Sequence, residues 1–296
     1  MNRAIILLVG LLLIVVVFAL VMGQSLLVVQ RLARVSSVSG SVQVKTPGGS
    51  SFIPLRDQAL VTSGAVVQTG PGGSATLNWI DGSRLLVGPA TTMTVLKCQV
   101  NRDTRAETSL FNLTTGNLLV RVRKLLSGQS KFEIRTPTAT AGVRGTIFSV
   151  QVSPAGQTQI AVLEGQVNLD AAGQTLSVTP GYRAIASADK AEVQRLSAAE
   201  RARLEGTPGA LGPYVALDQP LAGATVAPGL LEVSGQVEER ARLTLNGEPV
   251  RDSKLNRFRT TVQVPAGAGS FTLRVVAIDE RDYRTEITRE VRVGSR

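Results

Sequence analysis

The chain has 296 residues, 43% of them hydrophobic and 18% charged, a balance that suits about two globular domains plus one apolar insertion. Histidine is absent and Cys98 is the only cysteine, which excludes an intrachain disulfide and a Cys/His metal site. The net charge of +10 is uneven: residues 31–205 carry 19 basic and 11 acidic side chains, residues 206–296 carry 12 and 11. With aromatics at only 4%, Val, Leu, Thr and Gly must fill the cores, a mixture that favours strands and turns.

Residues 4–22 form an apolar run of 19 residues without a charge. That matches the roughly 20 residues of a membrane-spanning helix and exceeds the about 7–15 of a cleavable signal. Residues 1–23 are therefore read as an uncleaved anchor in the inner (cytoplasmic) membrane, single-pass, with the bulk of the chain extracytoplasmic. Cleavage near Gly23 is the alternative and would give a secreted or periplasmic protein. Arg3 on one side and Arg31 and Arg34 on the other leave the positive-inside count nearly balanced. The short end is assigned to the cytoplasm. Residues 24–33 read as a juxtamembrane extension.

From residue 35 to about 186, short alternating stretches are separated by turn signals such as Thr46-Pro-Gly-Gly49, Asp81-Gly82 and Ser153-Pro-Ala-Gly156. Turns at this density predict an all-β fold. Gly-x-[Val/Leu] steps recur at Gly40, Gly116 and Gly165 and suggest stacked units, a solenoid-like or two-sheet β domain. Cys98 is expected buried in a strand. Trp79 is expected in the core, opposite Asn78. Asp81 reads as a turn residue rather than a catalytic acid.

In Leu119-Val-Arg-Val-Arg-Lys124, alternation places Arg121 and Arg123 on one strand face and Val120 and Val122 on the other. That face is read as solvated. With Lys124, Lys131 and Arg135 it is also a possible contact for an anion or a partner. Next comes Thr136-Pro-Thr-Ala-Thr-Ala-Gly-Val-Arg-Gly-Thr-Ile-Phe-Ser-Val150. Gly142 and Gly145, three apart in a β pattern, predict a bulge or a close backbone approach, with Arg144 held between them. Arg144 is read as a fork that hydrogen-bonds carbonyls, with an anion or partner contact as the functional alternative. Glu164, followed by Gly165, is a candidate ion-pair partner for Arg144.

The order Thr136-Pro137, Gly142-Val-Arg144-Gly145-Thr146 and Phe148-x-Val150 resembles the core motif of the FecR domain family. Val38-Ser-Gly-Ser-Val-Gln-Val44, Ser74 to Val87, Thr115-Gly-Asn-Leu-Leu-Val120, Val162-Leu-Glu-Gly-Gln-Val-Asn-Leu169 and Val178-Thr-Pro-Gly-Tyr182 resemble further elements of that domain in the family's order. The resemblance covers about 34–186. It implies a domain outside the cytoplasmic membrane of a bacterium. Family regulators that govern sigma factors carry a cytoplasmic segment ahead of the membrane helix. Here only Met1-Asn2-Arg3 precede the apolar run, so that role is not expected to carry over.

Ser197-Ala-Ala-Glu200 is a capping box, predicting a short helix that closes a first domain over 24–205. Residues 206–213, rich in Gly and Pro, read as a linker. Residues 214–296 alternate at period two through about seven strands, with Asn246-Gly247 as a hairpin turn. They resemble bacterial Ig-like domains and predict a β-sandwich.

No catalytic constellation is present: nucleophile-and-base schemes most often use His, and there is none. No cofactor or metal is expected. The expected function is a non-enzymatic, membrane-anchored binding or scaffolding module of the bacterial envelope. The alternatives are a sensor subunit working through a partner, and an accessory carbohydrate- or cell-wall-binding protein. The expected partner is an envelope protein or an anionic cell-wall polymer, with membrane contact through residues 4–22 and no nucleic acid.

Overall fold

A computed structural model describes residues 11–14, 28–125, 127–207, 212–221, 223–238, 240–251, 253–254, 256–280 and 282–294. With 57% strand and 5% helix, it is all-β, as the turn density predicts. Residues 11–14 are helical and exposed; the rest of the expected anchor, and residues 208–211 of the linker, lie outside the described residues. Among the described residues no helix is long and apolar enough to cross a membrane.

The strands from Val28–Gln30 to Ala191–Arg195 pair into a closed barrel made of two sheets. The 15-residue strand Glu107–Arg121 belongs to both. Its first part pairs with Thr92–Asn101 and, in parallel, with Lys131–Arg135. Residues 116–121 pair instead with Arg84–Val87 and Ile147–Val152. The strand changes sheet at Gly116, whose φ is 98° and whose missing Cβ would lie 2.4 Å from Thr91 Cα. Only glycine combines that backbone angle with that approach. Gly40 and Gly165 also have positive φ and also mark passages between the sheets. The spaced glycines seen in the sequence are therefore corners of a two-sheet barrel.

Alternation buries one side of each strand. Leu77, Leu85, Val87, Phe111, Leu113, Leu118, Val120, Phe148, Val150, Ile160 and Val162 share a single core. Trp79 is 2% exposed and meets Phe111 edge-on at 5.7 Å, and Phe111 meets Phe132 at 5.2 Å. Cys98 is buried in its strand. Asn78 departs from simple alternation. It is buried next to Trp79 because Arg84 Nε donates to its Oδ1 at 2.9 Å.

The extension expected over 24–33 ends earlier than the sequence implied. Val28–Gln30 is a strand paired with residues 99–101, and Arg31 N donates to Cys98 O at 2.9 Å. Arg31 is then fixed by Asp81 at 2.6 Å and Glu107 at 3.1 Å. Three residues with no turn signal gave no hint of this pairing.

The helix Ala198–Glu205 follows, and its capping box is formed: Ser197 accepts from Glu200 N, while the Glu200 side chain accepts from Ser197 N at 3.0 Å. Leu204 joins Leu119, Ile147, Leu163 and Leu86 of the barrel and Tyr283 of the second domain in one apolar cluster.

Beyond the linker, a four-stranded and a five-stranded sheet share a core of Leu217, Val233, Val237 and Phe258 on one side and Leu243, Leu273, Val275 and Ala277 on the other. The region is a β-sandwich. Asn246 and Gly247, with φ of 50° and 92°, connect paired Leu245 and Glu248 in a two-residue loop.

Candidate functional site

The barrel's long strand ends against the second domain. Arg121 is 17% exposed and places Nη2 3.0 Å from Glu238 Oε1 and 3.6 Å from Asp279 Oδ2. Its Nη1 donates to Gly212 O at 2.6 Å. Beside it, buried Arg84 donates from Nη2 to Pro213 O at 2.9 Å. Burial, reinforced by the neighbouring Arg121, pushes the Arg84 guanidinium down to about 10, so it stays charged at neutral pH. Glu238 also accepts from Tyr214 N at 2.9 Å, and Arg34 pairs with Asp218. Arg289 donates to the carbonyls of Leu217 and Pro220, at 3.0 and 2.8 Å. Tyr283 OH donates to Glu164 at 3.3 Å. Guanidinium groups thus hold the end of the linker and the first strand of the sandwich.

This arrangement corrects the expected solvated face. Arg121 lies in the seam because Glu238 and Asp279 of the other domain cover it. Arg123 and Lys124, just past the strand's end, remain exposed. Lys131 and Arg135 are exposed too, but they flank Glu133 at 2.6 and 3.6 Å and do not line the same cleft.

The motif residues divide in the same way. Thr136 Oγ1 lies 2.7 Å from Thr158 Oγ1, and Thr138 Oγ1 lies 2.8 Å from it, in a hydroxyl network; Pro137 is exposed. Gly142 makes no close approach, since a Cβ there would meet only Asn168 O at 3.8 Å. Gly145 does: its φ is 90° and a Cβ would lie 2.8 Å from Lys124 Cα. A Cβ on Gly165 would lie 2.5 Å from Gly145 O. Thr146 is buried and exchanges backbone bonds with Val122 at 3.1 and 2.9 Å. The register then shifts between Ile147 and Phe148, and Phe148 is fully buried. Arg144 is not the buried fork expected from the sequence. It is exposed and makes one carbonyl contact, Nε to Leu125 O at 3.2 Å.

Together these segments bound a cleft of about 520 Å³. Residues 121–124, 144–147 and Glu164 form its barrel wall. Glu238, Arg240, Asp279, Glu280 and Tyr283 form the other. The sequence singled out the barrel wall. It missed the sandwich residues, which carry no motif.

A second polar cluster was also missed. Arg31, Asp81, Glu107 and Cys98 meet beneath Trp79. Asp81 accepts from Ser83 N and Oγ, both at 3.0 Å, which is the turn role its sequence suggested. Burial pushes the Cys98 thiol up, against the opposing pull of Arg31. Burial also raises the Glu107 carboxyl, again opposed by Arg31. Among the described residues no group of three or more His, Cys, Asp or Glu side chains is placed to hold a metal ion.

The geometry defines an all-β protein with a barrel core, a second core between two further sheets and a polar cleft where the two meet. Residues 65–168 match the family model described as FecR protein. No curated protein matches the chain. Among solved structures, a candidate anti-sigma factor from Parabacteroides distasonis is 17% identical over 45% of this chain and 60% of that one, with a TM-score of 0.37. A second structure under the same description is 18% identical over 48% and 65%, with a TM-score of 0.39. This chain therefore spans less than two thirds of their length. A glucan-utilisation protein of Bacteroides ovatus, SGBP-B, solved with a mixed-linkage heptasaccharide, is 7% identical over 88% and 63%, with a TM-score of 0.18.

Proposed function

We propose that this protein is a non-enzymatic binding module of the bacterial envelope, anchored through residues 4–22, whose recognition site is the cleft between its two β domains. The observation that carries the reading is the convergence at that cleft. Arg144, Gly145 and Thr146 of the FecR-like motif face it from the barrel, and an ion-paired sandwich domain closes it from the other side. The sandwich, Ig-like in its strand pattern, serves as the fixed second wall.

A second reading is favoured by the FecR match itself: the bound state is passed to a signalling partner in the membrane, making the protein a sensor subunit. One experiment addresses both. A photo-crosslinking residue is placed at Arg123 in the full chain in its native membrane, with Gly247, in the hairpin of the sandwich, as control. A discrete adduct at position 123 that is missing at 247 is the expected result. A membrane signalling protein in that adduct selects the sensor; wall material selects the scaffold. Equal labelling at both positions, or none, removes the cleft from the proposal.

A further inference from the structure

We infer that the cleft is an oxyanion site, built by Arg123, Lys124 and Arg144 for a phosphate or carboxylate group; this deepens the binding reading above and rests on it. Four carboxylates line the cleft, of which Glu280 lies 3.9 Å from Arg240 with both side chains largely exposed and the other three are held more closely. Glu238 is held by Arg121 and by Tyr214 N, Asp279 by Arg121 and by Tyr283 N at 3.0 Å, and Glu164 by the Tyr283 hydroxyl. Glu107, on the adjoining edge of the barrel, is held by Arg31 at 3.1 Å. The cations are not matched in this way. Arg123, Lys124 and Arg144 are exposed, and among the described residues none of the three forms an ion pair. The described lining carries five cations and four carboxylates, a formal charge of +1, and the cations outside ion pairs all lie on the barrel wall, where Arg123 also acts on Glu107 at longer range.

The backbone beneath these cations is fixed, which separates a site from a loose basic surface. Val122 and Thr146 are joined by two backbone hydrogen bonds, and the Gly145 corner lies against Lys124 Cα. Arg123 N donates to Ser83 Oγ at 3.2 Å. The Arg144 Nε bond to Leu125 O orients that guanidinium, whose two terminal nitrogens have no partner among the described residues. Two guanidinium groups and an ammonium carried on tied segments are the donor types that bind a phosphate or carboxylate. The other basic residues of the barrel do not extend this into a polymer track: Arg121 is in the seam, and Lys131 and Arg135 flank Glu133. The cleft's volume of about 520 Å³ falls in the range of small-ligand sites, about 300–1,000 Å³.

The test titrates the detergent-solubilised full chain by calorimetry at low salt, with inorganic phosphate and with malonate. Saturable binding of at least one is expected, weakening as salt shortens the screening length to about 8 Å at physiological ionic strength. The double variant Arg123→Ser/Arg144→Ser should bind at least about tenfold more weakly, equivalent to 1.4 kcal/mol, while keeping the wild-type melting temperature. Lys131→Ser/Arg135→Ser removes the same charge elsewhere on the barrel and should bind as wild type. Equal weakening in both doubles would reduce the effect to diffuse charge and overturn the site. Absence of saturable binding to wild type would also overturn it. An adduct at position 123 in the crosslinking experiment without anion binding would leave the binding reading standing and remove this inference alone. Phosphate binding without malonate binding assigns the site to phosphate; the reverse assigns it to carboxylate.

Discussion

The two domains are both two-sheet β structures, yet they hold together differently. The barrel encloses one continuous core running from Ala33 to Ala191, in which Trp79, Phe111 and Phe132 form a chain of ring contacts. The sandwich has a core of ten buried residues that includes Phe258, and many of its strand residues point ion pairs at solvent. Exposed pairs of that kind contribute little, about 0–1 kcal/mol each. The barrel has much the larger apolar core, and the arginines of the seam add charged contacts to the smaller core of the sandwich. A charged, partly buried interface is thus structural in this molecule, and it uses a share of the basic excess that composition alone would assign to polyanion binding.

The largest expected effect breaks the barrel at its corner. Gly116→Val forces a branched side chain into a φ of 98° against Thr91 and should cost about 4 kcal/mol or more. Loss of the native circular dichroism and of Trp79 fluorescence together would show it; a native-like melt would mean that the strand changes sheet without needing glycine.

Next in size is the seam. Arg84→Ala leaves Asn78 Oδ1 and Pro213 O without this donor, and should cost about 2–6 kcal/mol, at about 1–3 for each buried unpaired group. Trp79, the only tryptophan, reports the barrel alone, whereas circular dichroism reports both domains. In wild type the two melting curves should coincide. In Arg121→Ala, whose lost partners lie in the linker and the sandwich, the dichroism should begin to change first, as the sandwich melts ahead of the barrel. Arg84→Ala also strips Asn78 of its donor inside the barrel, so both curves should move down. Coincident curves in Arg121→Ala would mean that the sandwich is stable without that part of the seam.

Smaller effects sharpen the contrast. Ser197→Ala removes the helix cap and should cost about 1 kcal/mol. Arg144→Ala, exposed with one carbonyl contact, should change stability by no more than about 1 kcal/mol. A larger loss would restore the structural role that its place between two glycines suggested. Cys98 offers a probe that leaves the fold intact. Burial raises its thiol above the ordinary range, so less thiolate is present at any given pH. Alkylation of the native protein should stay slow through neutral pH and become fast only on unfolding. Rapid labelling of the folded chain would show that the barrel opens beneath Trp79.

Much of this was legible locally. Alternation at period two gave the strands and the all-β class, because the side-chain period of a strand is fixed by backbone geometry. Ser197 with Glu200, Asn246-Gly247 and Asp81-Gly-Ser83 gave their cap, hairpin and turn, because each rests on contacts within a few residues. Gly145 gave its close approach, and Gly142, three residues earlier in the same motif, did not. The difference lies in Lys124, which packs only against the first. The FecR resemblance read over 34–186 meets a family match over 65–168.

The amino-acid sequence by itself determined the strands, the corners and the barrel side of the cleft, since periodicity, backbone sterics and short-range hydrogen bonds are properties of neighbouring residues. It did not determine which arginines would be available. Arg121 and Arg123 are two residues apart and read alike, yet one is engaged and the other exposed. That outcome depends on Glu238, 117 positions further along the chain, and on Asp279 beyond it. Only the docking of the sandwich brings those carboxylates to Arg121 and shields the pair from water, and desolvation and ion pairing act on distances in space that the order of residues does not contain.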